Sequence, residues 1–446
     1  MPPTASTARA RGRHRKPRPL SPAARRAIVI AAAAPIAGTF LTAPSAFAAG
    51  KDSAKTYGTP VLDPAEQQIA EKLNARVQDP RLGDTFSGVV IDSGSDNVVW
   101  SHGAENALMP ASNTKLATAT AALTVLGPDH TFTTKVVYGD GTLTLVGGGD
   151  RTLTIPDVEA LAKTAVDGLK SAGLTKVKIR VDDSLFPEPT LATGWNKDYF
   201  PDTVAPVRPL VVDGRTLTDT SLDAGKVFAK RIADRGITVD GEVTRGVSGK
   251  GDVPVAQHSS AKLSEIVKHM LKVSDNNIAE TLLRMTALGA GRPATFEDGA
   301  AVVRDVLSQN YGVSLDNFQM HDGSGLSRAT RIPAQTLADI LDLTVDPRYH
   351  HTLKSIKDGL PVAGEEGASL GPQFGRFDTP DSKCAVGKVM AKTGTLSGAI
   401  ALSGFTKAED GRWKVFSFIE NGATAEQNDT KDALDGLAAT VNGCWA

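Results

Sequence analysis

Seven consecutive residues, Pro110, Ala111, Ser112, Asn113, Thr114, Lys115 and Leu116, constrain the rest of the chain because they bring a hydroxyl, an amine and a helix start together. Good helix formers follow over 116–126, so Ser112 falls in the first turn with Lys115 three residues on and on the same face. A serine hydroxyl is a poor nucleophile until a neighbouring base takes its proton, and a lysine does so only as the neutral amine. To be half deprotonated at neutral pH the lysine must fall about 3 units, a cost of roughly 4 kcal/mol that burial and a second nearby cation would supply. The stretch therefore predicts a fold that buries Lys115 and carries a second lysine to it.

The chain has 446 residues, a formal charge of −1 and 41% apolar content, which together predict a soluble globular protein of more than one domain and give no sign of a nucleic-acid partner. Basic residues cluster only at the start: Arg9, Arg11, Arg13, Arg15, Lys16 and Arg18 lead through Arg25 and Arg26 into an apolar run over 27–43, followed by Ala46, Phe47 and Ala48. That order predicts a signal peptide over 1–48, cleaved after Ala48, in preference to an uncleaved anchor, which Pro35 and Gly38 would weaken. No later stretch is long and apolar enough to span a membrane, so an exported protein without a stable transmembrane anchor is expected. Two cysteines remain after the signal, Cys384 and Cys444. An even pair outside the cell predicts a disulfide over two free buried thiols, and neither cysteine has a second ligand at zinc spacing. Closing a loop of about 60 residues is worth on the order of 4 kcal/mol in the chain-entropy model.

Periodicity predicts a helix over 64–77, strands over 85–91 and 98–102, then the helix carrying Ser112. After 131 the texture changes to short β-like runs over 133–138 and 142–146, a helix over 156–172, a strand over 176–182, a stretch rich in proline and turn residues, a helix over 221–235 and strands around 239–244. Helical periodicity resumes over 263–288, interrupted at Ser274, Asp275 and Asn276, with later helices over 300–310, 334–343 and 429–441 and strands over 386–392, 399–406 and 412–420. Early and late strands together predict one antiparallel sheet closed by the first and last helices, an α+β arrangement split into 49–131 and 258–446 by an inserted α/β domain over 132–257.

The second lysine is Lys392, followed by Thr393, Gly394 and Thr395 at the expected end of a strand, where glycine would let a substrate approach the backbone. Ser112 with Lys115, Ser274 with Asp275 and Asn276, and Lys392 with Thr393 and Gly394 form the S-x-x-K, S-D-N and K-T-G set of penicillin-binding proteins and class A β-lactamases, in the right chain order. Single motifs are weak. Ser259 with Lys262 is a second S-x-x-K, Ser95 with Asp96 and Asn97 reads as a hairpin turn, and Gly367, Ser369 and Gly371 fit a hydrolase elbow without its strand and helix.

Beyond the trio the chain resembles the D-alanyl-D-alanine carboxypeptidase/endopeptidase branch of low-molecular-mass penicillin-binding proteins. The resemblance rests on Gly147, Gly148, Gly149 and Asp150, on Gly194 and Trp195, on 274–283, on 322–328 and on 360–364. It implies a transpeptidase-like domain split after the serine helix. The distance from Ser112 to Ser274 is shorter than the two-domain insertion of the best-known members would need, so one inserted domain is expected. The resemblance further implies that Ser112 attacks the carbonyl between two D-alanines of a peptidoglycan stem peptide, with Lys115 as base and Ser274 passing a proton to the leaving amine. Lys392 would orient Ser274 and attract the terminal carboxylate, Thr393 and Thr395 would hydrogen-bond it, Asn276 would hold the peptide, and the N–H groups of Ser112 and Thr395 would bind the oxyanion. β-Lactams would be covalent inhibitors, and no metal or organic cofactor is needed. The alternatives are a β-lactamase and a catalytically idle wall-binding or penicillin-sensing protein. The first lacks its deacylating glutamate motif, and intact motifs speak against the second.

Overall fold

The structure, a computed structural model, describes residues 61–445, so the expected signal peptide over 1–48 lies outside the described residues. All seven residues of the Phe86–Asp92 strand are buried, and alternate side chains enter different cores, as a period of two demands. Val89 and Ile91 join Leu116, Leu123, Leu337 and Leu341, whereas Val90 joins Ile69, Leu73, Leu434 and Leu437. The sheet around this strand is therefore covered on both faces. Its order is Val389–Leu396, Ala399–Lys407, Trp413–Asn421, Phe86–Asp92, Val98–His102, antiparallel throughout. The helices Pro64–Arg76 and Gln427–Asn442 lie on one face and Ala334–Leu343 on the other, with Thr114–Leu126 packed behind it. This is the expected α+β layering, with the two ends of the described chain meeting on one sheet.

Residues 133–259 build a second, mixed sheet with its own apolar cluster. Thr142–Val146 pairs in parallel with Lys176–Asp182 through the crossing helix Ile155–Ser171, and Thr133–Gly139 pairs antiparallel with both Thr142–Val146 and Val253–Ser259. Val253–Ser259 is not anticipated by the sequence pattern and runs past residue 257. Leu161, Ala165 and Leu169 of the crossing helix and Phe228 and Ile232 of Thr220–Ala233 fill this core. Among the described residues no helix is long and apolar enough to cross a membrane.

One strand differs from expectation where it matters. Lys392 is not at a strand end: Val389–Leu396 continues through it, with Lys392 opposite Ser403, Gly394 opposite Ala401 and Thr395 opposite Ile400. Thr393 and Thr395 are β-branched and favour the extended backbone, which offsets the glycine between them. The strand is at the sheet edge, and on its outer side the Ala391 N–H bonds the Pro361 carbonyl and the Val389 carbonyl accepts from the Ala363 N–H, so only the part beyond Ala391 is left outside any strand pairing.

Two ties fix the segment leading into that strand. Cys384, in the Lys383–Ala385 turn, and Cys444, just beyond the last helix, form a disulfide. Arg376 and Asp435 form a buried bidentate pair with Nε to Oδ2 at 2.9 Å, and the same carboxylate accepts from the backbone N–H of Phe377 at 3.0 Å. Removing one member of such a pair leaves the other charge buried and unpaired. Asp435→Ala is expected to destabilise the fold by about 3–5 kcal/mol in urea unfolding. A loss under about 1 kcal/mol would mean that the Arg376 guanidinium finds water once its partner is gone.

Candidate active site

Ser112 sits in a short 3-10 turn, Ala111–Asn113, that runs directly into the Thr114–Leu126 helix. Ala111 takes a positive φ of 47°, a conformation that costs a non-glycine residue about 1 kcal/mol or more and that surrounding contacts must hold. Two glycines let those contacts form. A Cβ on Gly325, itself at φ +84°, would fall 1.9 Å from the Ala111 carbonyl oxygen, and one on Gly394 would fall 2.7 Å from that of Pro110. Gly394 thus serves the approach of its strand to the serine turn, a different reason from the expected approach of a substrate. Asn113 completes the seam. Its side-chain nitrogen faces the carbonyl oxygens of Lys392 and Thr393 at 2.9 and 3.2 Å while its oxygen accepts from Ser403 Oγ at 2.7 Å, an orientation chosen because it satisfies every partner.

Lys115 is wholly buried, and its amine has three neighbours: Ser112 Oγ at 3.0 Å, Asn276 Oδ1 at 2.8 Å and the Ser324 carbonyl oxygen at 2.8 Å. Burial pushes its pKa down to about 8, against Glu280, Asp322 and Asp275, whose charges pull it back up. The expected second cation acts differently from anticipation. Lys392 is also wholly buried, and its own pKa is held well below the usual lysine range, first by burial and then by Lys115 and Arg376. The repulsion between the two lysines is therefore felt at Lys392.

Ser274 caps the Leu263–Val273 helix in the left-handed region at φ 62°, and Asp275 then caps Asn276–Gly289 by accepting from the Ile278 N–H at 2.8 Å. This break between helices presents Ser274 and Asn276 to the serine turn. Lys392 Nζ donates to Ser274 Oγ at 2.9 Å and to the Thr393 carbonyl at 2.8 Å. Asn276 Nδ2 donates to the Thr203 carbonyl at 3.1 Å, which turns its oxygen toward Lys115. Thr393 Oγ1 donates to Ser369 Oγ at 2.8 Å, and Thr395 is exposed. Ser112, Lys115, Ser274, Asn276 and Lys392 thus meet at one place, with Thr393, Gly394 and Thr395 along its edge.

Two of the three look-alike motifs fall elsewhere, and the third brings Ser369 to Thr393 at the edge of the site. Gly94 and Ser95 N–H groups both bond Asp92 Oδ1, which makes 95–97 a turn, and Lys262 pairs with Asp129 at the surface. Sequence reasoning missed Glu280, the depth of Asp322, and Thr203. Glu280 and Asp322 are both 0% exposed. Glu280 takes the Gly323 and Ser324 N–H groups at 2.9 and 2.7 Å, and Asp322 takes Trp195 Nε1 at 2.7 Å and the Gly325 and Ser327 N–H groups at 3.1 and 2.7 Å. A signal for Glu280 was present: it lies one helical turn after Asn276, among Ile278, Ala279, Leu282 and Leu283, where only a partnered carboxylate would be tolerated.

Comparison with known proteins shows the family and the fold. The chain is 32% identical over 404 residues to Carboxypeptidase DacB of Mycolicibacterium smegmatis, covering 85% of each chain. It is 28% identical over 451 residues to the D-alanyl-D-alanine carboxypeptidase of Actinomadura sp. (strain R39), covering 80% of this chain and 81% of that one. The crystal structure of penicillin binding protein 4 (dacB) from Haemophilus influenzae superimposes with a TM-score of 0.70 at 21% identity, over 84% of this chain and 98% of that one, a likeness of fold. Residues 69–218 and 213–441 match the D-Ala-D-Ala carboxypeptidase 3 (S13) family, and the chain belongs to that family.

Proposed function

We propose that this serine-type D-Ala-D-Ala carboxypeptidase trims peptidoglycan stem peptides through an acyl-enzyme on Ser112. The observation that carries the reading is the placement of the Lys115 amine. A neutral amine has two N–H bonds and one lone pair. With the N–H bonds given to Asn276 Oδ1 and the Ser324 carbonyl, the lone pair is left for the Ser112 hydroxyl at 3.0 Å. Ser112 Oγ attacks the penultimate D-alanyl carbonyl as Lys115 takes its proton. The tetrahedral oxyanion is held by the N–H groups of Ser112 and Thr395, where losing one donor typically costs about 3 kcal/mol. The C–N bond then breaks, Ser274 gives its proton to the leaving D-alanine nitrogen, and Lys392 restores that proton. Water later attacks the ester, giving a proton to the Lys392 amine left neutral in the first half, and Lys115 returns its proton to Ser112 Oγ as the ester C–O bond breaks and the shortened peptide leaves.

The stem peptide would lie along the outer edge of this strand beyond Ala391, its terminal carboxylate read by the hydroxyls of Thr395 and of Thr393, the latter turned from Ser369. Lys392 acts through Ser274 and by its field, because its buried Nζ ends on Ser274 Oγ and the Thr393 carbonyl. Cross-link cleavage is a second activity of the same site. The domain division goes with this reading: 49–131 and 258–446 form the catalytic unit, 132–257 is inserted into it, and removal of 1–48 accompanies export to the cell wall or medium. β-Lactams fit as covalent inhibitors, because their acyl-enzyme cannot expel a diffusible leaving group. One relative of known structure, penicillin binding protein 4 from Haemophilus influenzae, has been seen with a β-lactam.

Penicillin is expected to add one covalent equivalent at Ser112, seen by mass spectrometry of the intact protein and its peptides, and Ser112→Ala should abolish labelling. An adduct on Ser259, or one retained in the variant, would sink the assignment.

The Lys115 pKa of about 8 gives the pH dependence a sign. The base works only when neutral, so acylation should fall about tenfold per pH unit below 8 and level off above it. A rate that is flat from pH 6 to 9 would remove Lys115 as the base.

D-Alanine release from a pentapeptide should exceed release from the same peptide amidated at its C-terminus, since a hydrogen-bonded, desolvated carboxylate discriminates by roughly 2–5 kcal/mol. Equal cleavage of the two would mean that the edge strand does not read the carboxylate.

A further inference from the structure

The Lys115 amine is aimed by two acceptors, and one of them is a backbone carbonyl on a loop. Something must hold that loop. Ser324 belongs to the turn over 322–327, in which Gly323 and Ser324 present successive N–H groups to the two oxygens of Glu280 at 2.9 and 2.7 Å. On the opposite side of the turn the Gly323 carbonyl accepts from Thr118 Oγ1 at 2.7 Å, one helical turn beyond Lys115. The peptide units on either side of Gly323 are thus clamped between the helix that bears Lys115 and the helix that bears Asn276, and the next unit, which carries the Ser324 carbonyl, has its Gly325 N–H on Asp322 Oδ1 at 3.1 Å. Both acceptors of the amine are then governed by Asn276–Gly289: Asn276 directly, the Ser324 carbonyl through Glu280 one helical turn on.

We infer that Glu280 is a positioning residue for the base, holding the Ser324 carbonyl so that the free lone pair of Lys115 points at Ser112. The inference rests on the reading of Lys115 as the base. Glu280 itself is no catalytic group, since it is 0% exposed and both its oxygens are taken by backbone N–H groups. It therefore does not activate a deacylating water.

The same placement has an electrostatic side. The charged groups acting on Lys115 are Glu280 and Asp275 of the second helix and its cap and Asp322 of the turn, while Lys392 of the edge strand faces it and takes the repulsion between the two amines. Glu280 in turn faces Asp322 and lies within the field of Arg284. Burial and Asp322 push the Glu280 carboxyl up to about 8, and the Asp322 carboxyl is raised by burial as well. With its carboxyl near 8, Glu280 is largely neutral over the acid limb of Lys115, so its removal should move that limb little.

Glu280→Gln separates these effects. The amide keeps the shape and one acceptor but turns its NH2 toward a backbone N–H, so the Ser324 carbonyl is released. Penicillin acylation is the readout, and the parent protein's labelling at Ser112 is established first, which separates failure of the acyl-enzyme reading from failure of this one. The plateau acylation rate of Glu280→Gln should fall at least about tenfold, with its acid limb within about half a pH unit of the parent's and penicillin's dissociation constant changed less than about threefold. A parental rate, or a lower plateau accompanied by an equal loss of penicillin binding, would overturn the inference. If the variant does not fold, Thr118→Val decides. It cuts the clamp on the Gly323 carbonyl without changing charge, and should lower the plateau with the limb in place, whereas a parental rate would overturn the proposal.

Discussion

A lysine amine kept out of water is the constraint on which the rest of this structure depends. The drop of Lys115 from its ordinary value of 10.5 to about 8 corresponds to about 3 kcal/mol of preference for the neutral form. That preference exists only while the surrounding segments exclude solvent. It is also incomplete by construction, because three carboxylates act in the opposite direction. On the proposed mechanism the arrangement leaves an amine basic enough to take a serine proton and, above about pH 8, free of its own.

Keeping water out requires distant parts of the chain at one point, and the contacts show how that is done. The serine turn is pinned to the edge strand by Asn113 and by the close approach at Gly394. The 322–327 turn lies over Ala111 because Gly325 has no Cβ. The segment over 193–205 closes the remaining side: the Thr193 carbonyl accepts from Ser327 Oγ at 2.6 Å, Trp195 donates to Asp322, Thr203 accepts from Asn276, and the Ala205 N–H donates to Asn277 Oδ1 at 2.8 Å. Residues between the serine helix and the Ser274 motif are therefore part of the wall of the site as well as the scaffold of a second sheet.

The parts of this site that were legible in the sequence are those that the chemistry itself demands. A hydroxyl and an amine on one helical face require burial and a second cation, and that requirement led from Ser112 and Lys115 to Lys392 and Ser274. The α+β layering was legible because the outer strands and both terminal helices carry strong periodicity. What was not legible depends on partners far away in the chain. Glu280 has a carboxylate's identity but takes its role from two N–H groups more than forty residues on. The reason for Gly394 is a carbonyl on the serine turn, and nothing near Gly394 in sequence announces it. The His350–Gly359 helix escaped notice because two histidines and two lysines blur its apolar face, although Leu353 and Ile356 are fully buried. The strand carrying Lys392 was cut short because glycine was read as its end, where pairing with Ala399–Lys407 carries it on.

Two buried lysines in one site cannot both hold a proton without cost, and this gives the pair a directional logic on the proposed mechanism. Burial disfavours the charge on each, and the repulsion between them disfavours the doubly charged state further. An empty site therefore shares charge between Lys115 and Lys392. An anion arriving at Thr393 and Thr395 lies nearer to Lys392, raises its proton affinity, and makes the ammonium there the favoured state. The same repulsion then favours the neutral form of Lys115. Binding of the peptide carboxylate and unmasking of the base are in this way one electrostatic event, and a substrate without that carboxylate would leave the amine closer to its resting protonation.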